Sequence, residues 1–317
     1  MAEPTTQQTT SPATGPREPA AEPATEILAR AVGVTRRYGE VLALDDLSLD
    51  IHSGELVGLL GPNGAGKSTL INLFVGLRRP SSGRVELFGG SPADPGRRLG
   101  IGVTPQETGL PATLRVGEVV DFVAAHYPQS VDRGALLERF TLSGLDRRQV
   151  GGLSGGQKRR LAVALAFIGD PRLVFLDEPT TGLDVEARRA LWDGIRHFHA
   201  DGGTVVLTSH YLEEVEALAK RVVVIGQGRV LADGTTAEVR GIAGVRRVTL
   251  TADDLPDLPG VLRTEREGTR THLLTTDADA LVRTLVRADV PFSDLEIRAT
   301  SLEEAFLTIT ARESQAA

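Results

Sequence analysis

The sequence predicts an α/β fold built around a phosphate-binding loop, and three stretches predict it. Residues 61–69 read GPNGAGKST, two glycines with four residues between them followed by Lys and Ser/Thr. They stand between 56–60 (LVGLL), which reads as a buried strand, and 70–75 (LINLFV), which reads as a helix. The run 173–176 (LVFL) is continuously apolar, as a parallel strand buried on both faces requires, and it ends in Asp177 and Glu178. A third run, 204–209 (TVVLTS), is rich in β-branched residues and leads directly to His210.

The order strand, glycine loop, helix is the order that phosphate binding needs. Gly61, Gly64 and Gly66 free the backbone to turn successive N–H groups inward, and the positive end of the following helix faces the same point. Lys67 would bring a mobile positive charge to the β- and γ-phosphates. The Ser68 hydroxyl would hold Mg²⁺ and that of Thr69 a phosphate oxygen. Two carboxylates at the tip of a buried strand are costly without a cation nearby. Asp177 would therefore face Mg²⁺, and Glu178 would orient or deprotonate the water that attacks the γ-phosphate.

Composition narrows the class. The chain has 317 residues, 41% of them hydrophobic, which suits one large domain and a smaller one. A net charge of −7 gives no global basic footprint, so nucleic acid is not an expected partner. Cysteine is absent, which removes disulfides and thiolate metal sites and fits a reducing compartment. No stretch approaches the roughly 20 apolar residues of a membrane span.

Residues 1–25 are rich in Pro, Ala, Thr, Gln and Glu and read as a disordered tail. Short strands are expected at 27–32, 41–44 and 47–51, with Tyr38 between the first two, where its ring could stack on a base. A strand and turn follow at 84–90 and a strand at 99–106, the latter ending at Gln106, at a carboxyl end of the sheet, where ligands bind in open α/β folds. Over 114–166 helical spacing dominates, with Val116, Val119, Val120 and Val123 on one face and Leu136, Leu137 and Phe140 on another. Near its end, Ser154, Gly155, Gly156 and Gln157 open a helix and make a second candidate anion site from a cap hydroxyl, free amides and the helix dipole.

Asp184 precedes a helix over 185–198, and 221–225 with 229–232 reads as a closing hairpin. Beyond residue 241 the pattern is that of a small α/β accessory domain. It has strands at 245–250, 272–276 and 295–299, a helix at 278–288 and a last helix opened by Ser301 and Glu304 at capping-box spacing.

Taken together, Tyr38, GPNGAGKST, Gln106, LSGGQ at 153–157, LVFLDE at 173–178, Asp184 and His210 make a sequence that closely resembles the ATP-binding-cassette ATPases over 27–240. The resemblance implies a P-loop NTPase cassette at 26–240, with a mixed sheet core, an antiparallel β subdomain and an inserted helical subdomain at about 107–166. Residues 241–317 would form the accessory domain. It implies that Tyr38 stacks on adenine and that Gly61, Pro62, Asn63, Gly64, Ala65, Gly66, Lys67, Ser68 and Thr69 form the Walker A loop around ATP. Gln106 would touch Mg²⁺ together with Ser68 and Asp177, Glu178 would be the catalytic carboxylate and His210 the switch histidine. Ser154, Gly155, Gly156 and Gln157 belong to the signature, and Asp184 to the D-loop.

Cassettes of this family work as head-to-tail pairs, so a second cassette is implied, a second copy in a homodimer or a related chain. The run 210–214 (HYLEE) and the segment 301–307 (SLEEAFL) look like the drug-efflux branch typified by daunorubicin-resistance ATPases. Those pair with ABC-2-type membrane permeases at the cytoplasmic face of the cell membrane. A soluble cassette acting on ribosomes or nucleic acid is the rival, opposed by the acidic balance and the absence of a basic arm. A phosphotransferase with the same loop leaves 153–157 without a purpose.

Overall fold

The computed structural model describes residues 25–104, 109–209, 211–252 and 255–316. The chain opens as a hairpin, β1 (Ile27–Tyr38) against β2 (Val41–His52), and β4 (Ser82–Leu87) covers the other edge of β1. Two long strands replace the three short ones expected. Register shifts between Ala31 and Val34 and between Val34 and Arg36, with positive φ at Gly33 (56°) and Asp46 (49°), carry the pairing past the polar residues that broke the pattern. Tyr38 closes β1, with the Arg36 guanidinium 4.5 Å above its ring.

A six-stranded sheet supports the site. Its strands are β3 (Leu56–Leu60), β5 (Ile101–Thr104), β6 (Leu173–Asp177), β7 (Thr204–Thr208), β8 (Arg221–Gly226) and β9 (Arg229–Thr235), in the order β5-β6-β7-β3-β8-β9. All pairs are parallel except β8 with β9. Every residue of β3 and β7 is buried, which is why both read as unbroken apolar or β-branched runs. Helix α1 (Lys67–Phe74) lies against one face, where Phe74 stacks on Phe175 with ring centroids 5.9 Å apart. A single turn, α2 (Pro95–Arg98), precedes β5.

Helices α3 (Val116–Ala124), α4 (Arg133–Arg139) and α5 (Gly155–Ala164) fill the region where helical spacing predicted them. Val116, Val119, Val120, Leu136, Leu137 and Phe140 are buried, in one core with the far face of the main sheet. Three phenylalanines bridge the layers: Phe140 lies 5.0 Å from Phe167, and Phe167 lies 4.9 Å edge-on from Phe198 of α6 (Val185–Ala200). Helix α7 (Leu212–Leu218) packs Val215 on Gly58 of β3, where an added Cβ would come 2.4 Å from a Val215 methyl.

After α8 (Thr236–Ala243), β10 (Arg246–Thr251), β11 (Val261–Glu267), β12 (Arg270–Thr275) and β13 (Ser293–Ala299) form an antiparallel sheet in the order β11-β12-β10-β13. One face packs on α9 (Ala278–Arg287) through Val248, Leu250, Leu273, Leu281 and Leu285. Neither α8 nor β11 was expected. Strand β11 (VLRTERE) is an edge strand with little buried side-chain surface, so backbone pairing with β12 makes it. Helix α10 (Leu302–Ala316) starts with the expected capping box: Ser301 N–H donates to Glu304 Oε2 at 2.9 Å, and Glu304 N–H to Ser301 Oγ at 3.2 Å. It then returns to the main core, where Leu302 and Ile309 are buried. Among the described residues no helix is long and apolar enough to cross a membrane.

Because Phe175 is fully buried and stacked on Phe74, Phe175→Ala should lower unfolding free energy by about 3–5 kcal/mol. Denaturant titration reads this as a lower midpoint at unchanged slope.

Candidate active site

The loop after β3 is shaped by its glycines. An added Cβ on Gly61 would meet the Ile225 carbonyl oxygen at 2.4 Å, and one on Gly66 would meet that of Ala43 at 2.5 Å. Gly64 and Gly66 sit at φ +80° and +106°, where a side chain is strained. Gly66 offers no capping side chain to α1, so the helix begins with its amides turned towards the loop.

Lys67, the first residue of α1, is only 7% exposed. Its Nζ donates to the carbonyls of Gly61 at 2.6 Å and Pro62 at 3.0 Å. Burial pulls its pKa down, and the carboxylates of Glu178 and Asp177 oppose that shift. The loop borders a cleft of about 440 Å³ lined by Tyr38, Val41, Ala43, Asn63, Gly64, Ala65, Gly66, Lys67, Ser68, Thr69 and Glu178.

The carboxylates come from β6, two strands away from the loop strand. Ser68 Oγ donates to Asp177 Oδ2 at 2.8 Å, and Thr208 Oγ1, at the end of the intervening β7, donates to Asp177 Oδ1 at 2.6 Å. The Glu178 amide donates in turn to Thr208 Oγ1 at 3.0 Å. Glu178 is 8% exposed and sits at φ +50°, an unusual conformation for a residue with a side chain. Arg159 of α5 fixes this turn: its Nη2 donates to the carbonyls of Asp177 (2.9 Å) and Glu178 (2.7 Å), and its Nε to that of Pro179 (3.0 Å). A guanidinium on three carbonyls compensates for its own burial and holds the backbone from which both carboxylates extend.

Glu214 of α7 makes a second buried node. Its carboxylate accepts from Thr180 Oγ1 and Trp192 Nε1, both at 2.9 Å. Burial raises its pKa, while hydrogen bonds from Ser209, Thr180 and Trp192 work the other way. The turn after β6, helix α6 and helix α7 thereby share one carboxylate.

The structure thus gathers Tyr38, residues 63–69 and Glu178 around one cleft, with Gly61 and Pro62 bonded to Lys67 and Asp177 bonded to Ser68. It places the other sequence candidates elsewhere or not at all. Ser154, Gly155, Gly156 and Gln157 do not line the cleft. Ser154 Oγ accepts from the Gln157 amide at 3.2 Å and the Ser154 amide donates to Gln157 Oε1 at 3.0 Å, a complete capping box at the start of α5. Asp184 caps α6, accepting from the Ala187 amide at 2.7 Å. Gln106 and His210 lie outside the described residues. Sequence reasoning missed Val41, Ala43, Thr208, Arg159 and Glu214. Arg159 stands between Lys158 and Arg160, and Glu214 inside HYLEE, with nothing local to give either a role.

The donors present fit a nucleotide with a hard divalent cation. The glycine cradle has no room for a Cβ at two positions, and the hydroxyl and carboxylate oxygens of Ser68 and Asp177 already converge beside the buried ammonium.

Comparison with known proteins gives the same picture. The ABC transporter family profile matches residues 44–181. The daunorubicin resistance ATP-binding protein DrrA3 of Streptomyces coeruleorubidus is 36% identical over 297 residues, 88% of this chain and 94% of that one. The Nod factor export ATP-binding protein I of Rhizobium sp. (strain N33) is 37% identical, over 89% of this chain and 97% of that one. An ATP-binding cassette solved as a dimer in a post-hydrolysis state with ADP and Pi is similar with a TM-score of 0.59 and 26% identity, covering 65% of this chain and 98% of that one. Fold, cleft and kinship agree: this chain belongs to the ATP-binding-cassette ATPases, the ATP-binding and ATP-hydrolysing subunits of ABC transporters.

Proposed function

We propose that this chain energises an ABC-2-type membrane permease that exports drug-like, antibiotic or lipid-like compounds, working from the cytoplasmic face of the membrane as a head-to-tail pair of cassettes. The observation that carries the chemistry is the Ser68–Asp177 hydrogen bond of 2.8 Å, which sets a metal-type donor pair beside Lys67 and Glu178. The export reading rests on relatives named for daunorubicin resistance and Nod factor export.

In this reading Tyr38, 40% exposed at the mouth of the cleft, stacks on the base. The 61–69 loop and Lys67 hold the phosphates, while Ser68 and Asp177, with Gln106, hold Mg²⁺. Mg²⁺ bound there would neutralise charge on the β- and γ-phosphate oxygens. Glu178, fixed by Arg159 and Thr208, accepts a proton from the attacking water or orients it, and His210 contacts the same water or the γ-phosphate. Ser154, Gly155, Gly156 and Gln157, standing outside their own chain's cleft, serve the nucleotide of the second copy, and Asp184 follows them into that interface. We assign the cassette to 26–240, the permease-facing part to the helical region at 107–166 and the accessory domain to 241–317.

Glu178→Gln should lower steady-state ATP hydrolysis by about 100-fold or more while leaving ATP binding intact, because it removes the proton acceptor and little volume. Normal turnover would take Glu178 out of this role. Lys67→Ala should weaken nucleotide binding at least about tenfold, or about 1.4 kcal/mol, by equilibrium titration; unchanged affinity would overturn the phosphate-cradle assignment. Ser68→Ala should erase most of the difference in nucleotide affinity with and without Mg²⁺, and a preserved difference would place the metal elsewhere. Affinity purification of the Glu178→Gln chain from native membranes with ATP should recover a polytopic permease. Ribosomes or DNA-bound proteins in its place would overturn the transport reading and leave the ATP chemistry standing.

A further inference from the structure

Strand β13 is an outer strand of the C-terminal sheet, with β10 as its one neighbour among the described residues, and all seven of its residues are exposed. Leu295 and Ile297 are 38% and 45% exposed, although Ile297 stands directly opposite Val248, which is fully buried under α9. The apolar face of the sheet therefore continues to an open edge. The register shift and the positive φ of Asp294 lie at the start of this strand, so residues 295–299, which carry neither proline nor lysine, are the part that offers a template for another strand. Its sequence, SDLEIRA, also indicates which strand.

We infer that β13 pairs antiparallel with β13 of a second copy of this chain, about a two-fold axis through Ile297. In that register Ile297 faces Ile297, Leu295 faces Ala299, and Glu296 faces Arg298 on both sides of the axis. Every charged residue in this core of the strand meets its opposite, and every apolar residue meets an apolar one. Moving the axis to Glu296 would oppose two carboxylates, which destabilises a cross-strand pair.

Arg298 has a further reason to take a carboxylate from outside. Across β10 it stands opposite Arg247, a like charge, and its bond of 2.5 Å to Glu296 on its own strand is made at the exposed surface. A partner's Glu296 would place negative charge on its open side and join two four-stranded sheets into one of eight. The contact needs no nucleotide. It would keep two copies together when their cassettes open, and it is independent of the transport reading.

Because the chain contains no cysteine, Ile297→Cys introduces its only thiol. Directly opposed residues of an antiparallel pair have Cα atoms about 4.5–5.5 Å apart, within disulfide range. In buffer with EDTA and without nucleotide, mild oxidation of the full-length Ile297→Cys chain should give a covalent dimer. Leu295→Cys should not, because its two copies would lie four residues apart, about 13 Å along the strands. In the Ile297→Cys background, Glu296→Arg or Arg298→Glu alone should cut the dimer yield at least about fivefold, each by setting like charges opposite. The double reversal should restore it, and mixing the two single reversals should restore it as a heterodimer. No dimer with Ile297→Cys, equal linking through Leu295→Cys, or indifference to the charge reversals would each overturn the pairing. The ATPase variants at Glu178 and Lys67 read out separately, so either conclusion can fail alone.

Discussion

The site depends on holding two segments, 109 residues apart in sequence, within hydrogen-bond reach across the end of a parallel sheet. The loop follows β3 and the carboxylates end β6, with β7 between them. Thr208, the last residue of β7, closes that gap by donating to Asp177 and accepting from the Glu178 amide. Parallel strands make this possible because all their carboxyl ends emerge on one side, so a shift of one strand would break the Ser68–Asp177–Thr208 chain. The burial of β3, β6 and β7 is thus a condition of the chemistry as well as a source of stability.

The turn at Glu178 shows how the fold meets a local cost. A side chain at positive φ, two carboxylates at a strand tip and a buried guanidinium are each unfavourable alone. Together they compensate: Arg159 donates to three carbonyls of the turn, and the carboxylates offset part of the desolvation that lowers its pKa. Since Arg159 rides on α5, just beyond Ser154, any tilt of that helix is transmitted to the backbone that aims Glu178. Glu214 makes the matching link on the other side, joining Thr180, Trp192 and α7. In the proposed pair of cassettes, opening and closing would therefore reach Glu178 through contacts within one chain.

Much of this was legible in the sequence where a single local rule decided the outcome. Continuous apolar runs gave β3 and β6, helical spacing gave the buried faces of α3 and α4, and the glycine pattern gave the loop. What escaped reading depends on contacts distant in sequence. Arg159 is flanked by Lys158 and Arg160, and nothing local distinguishes a guanidinium in water from one on buried carbonyls. Strand β11 carries few apolar residues and exists through backbone pairing with β12. The LSGGQ segment was readable as the capped start of a helix, but its exclusion from the cleft of its own chain is a matter of tertiary distance.

The C-terminal region poses a different constraint, because it is attached to the cassette twice. Strand β10 follows α8 directly, and α10 returns from β13 to bury Leu302 and Ile309 in the main core. Arg247 of β10 bonds Glu304 of α10 at 2.7 Å, and the Leu302 amide bonds Glu216 of α7 at 2.9 Å. Helix α7 carries Glu214 two residues earlier. A displacement of the C-terminal sheet therefore pulls on the helix that shares a carboxylate with the turn after Glu178. Two attachments tie the sheet both to the main core and to the helix that carries Glu214, so a contact at its outer edge would act on a sheet already bonded to that helix.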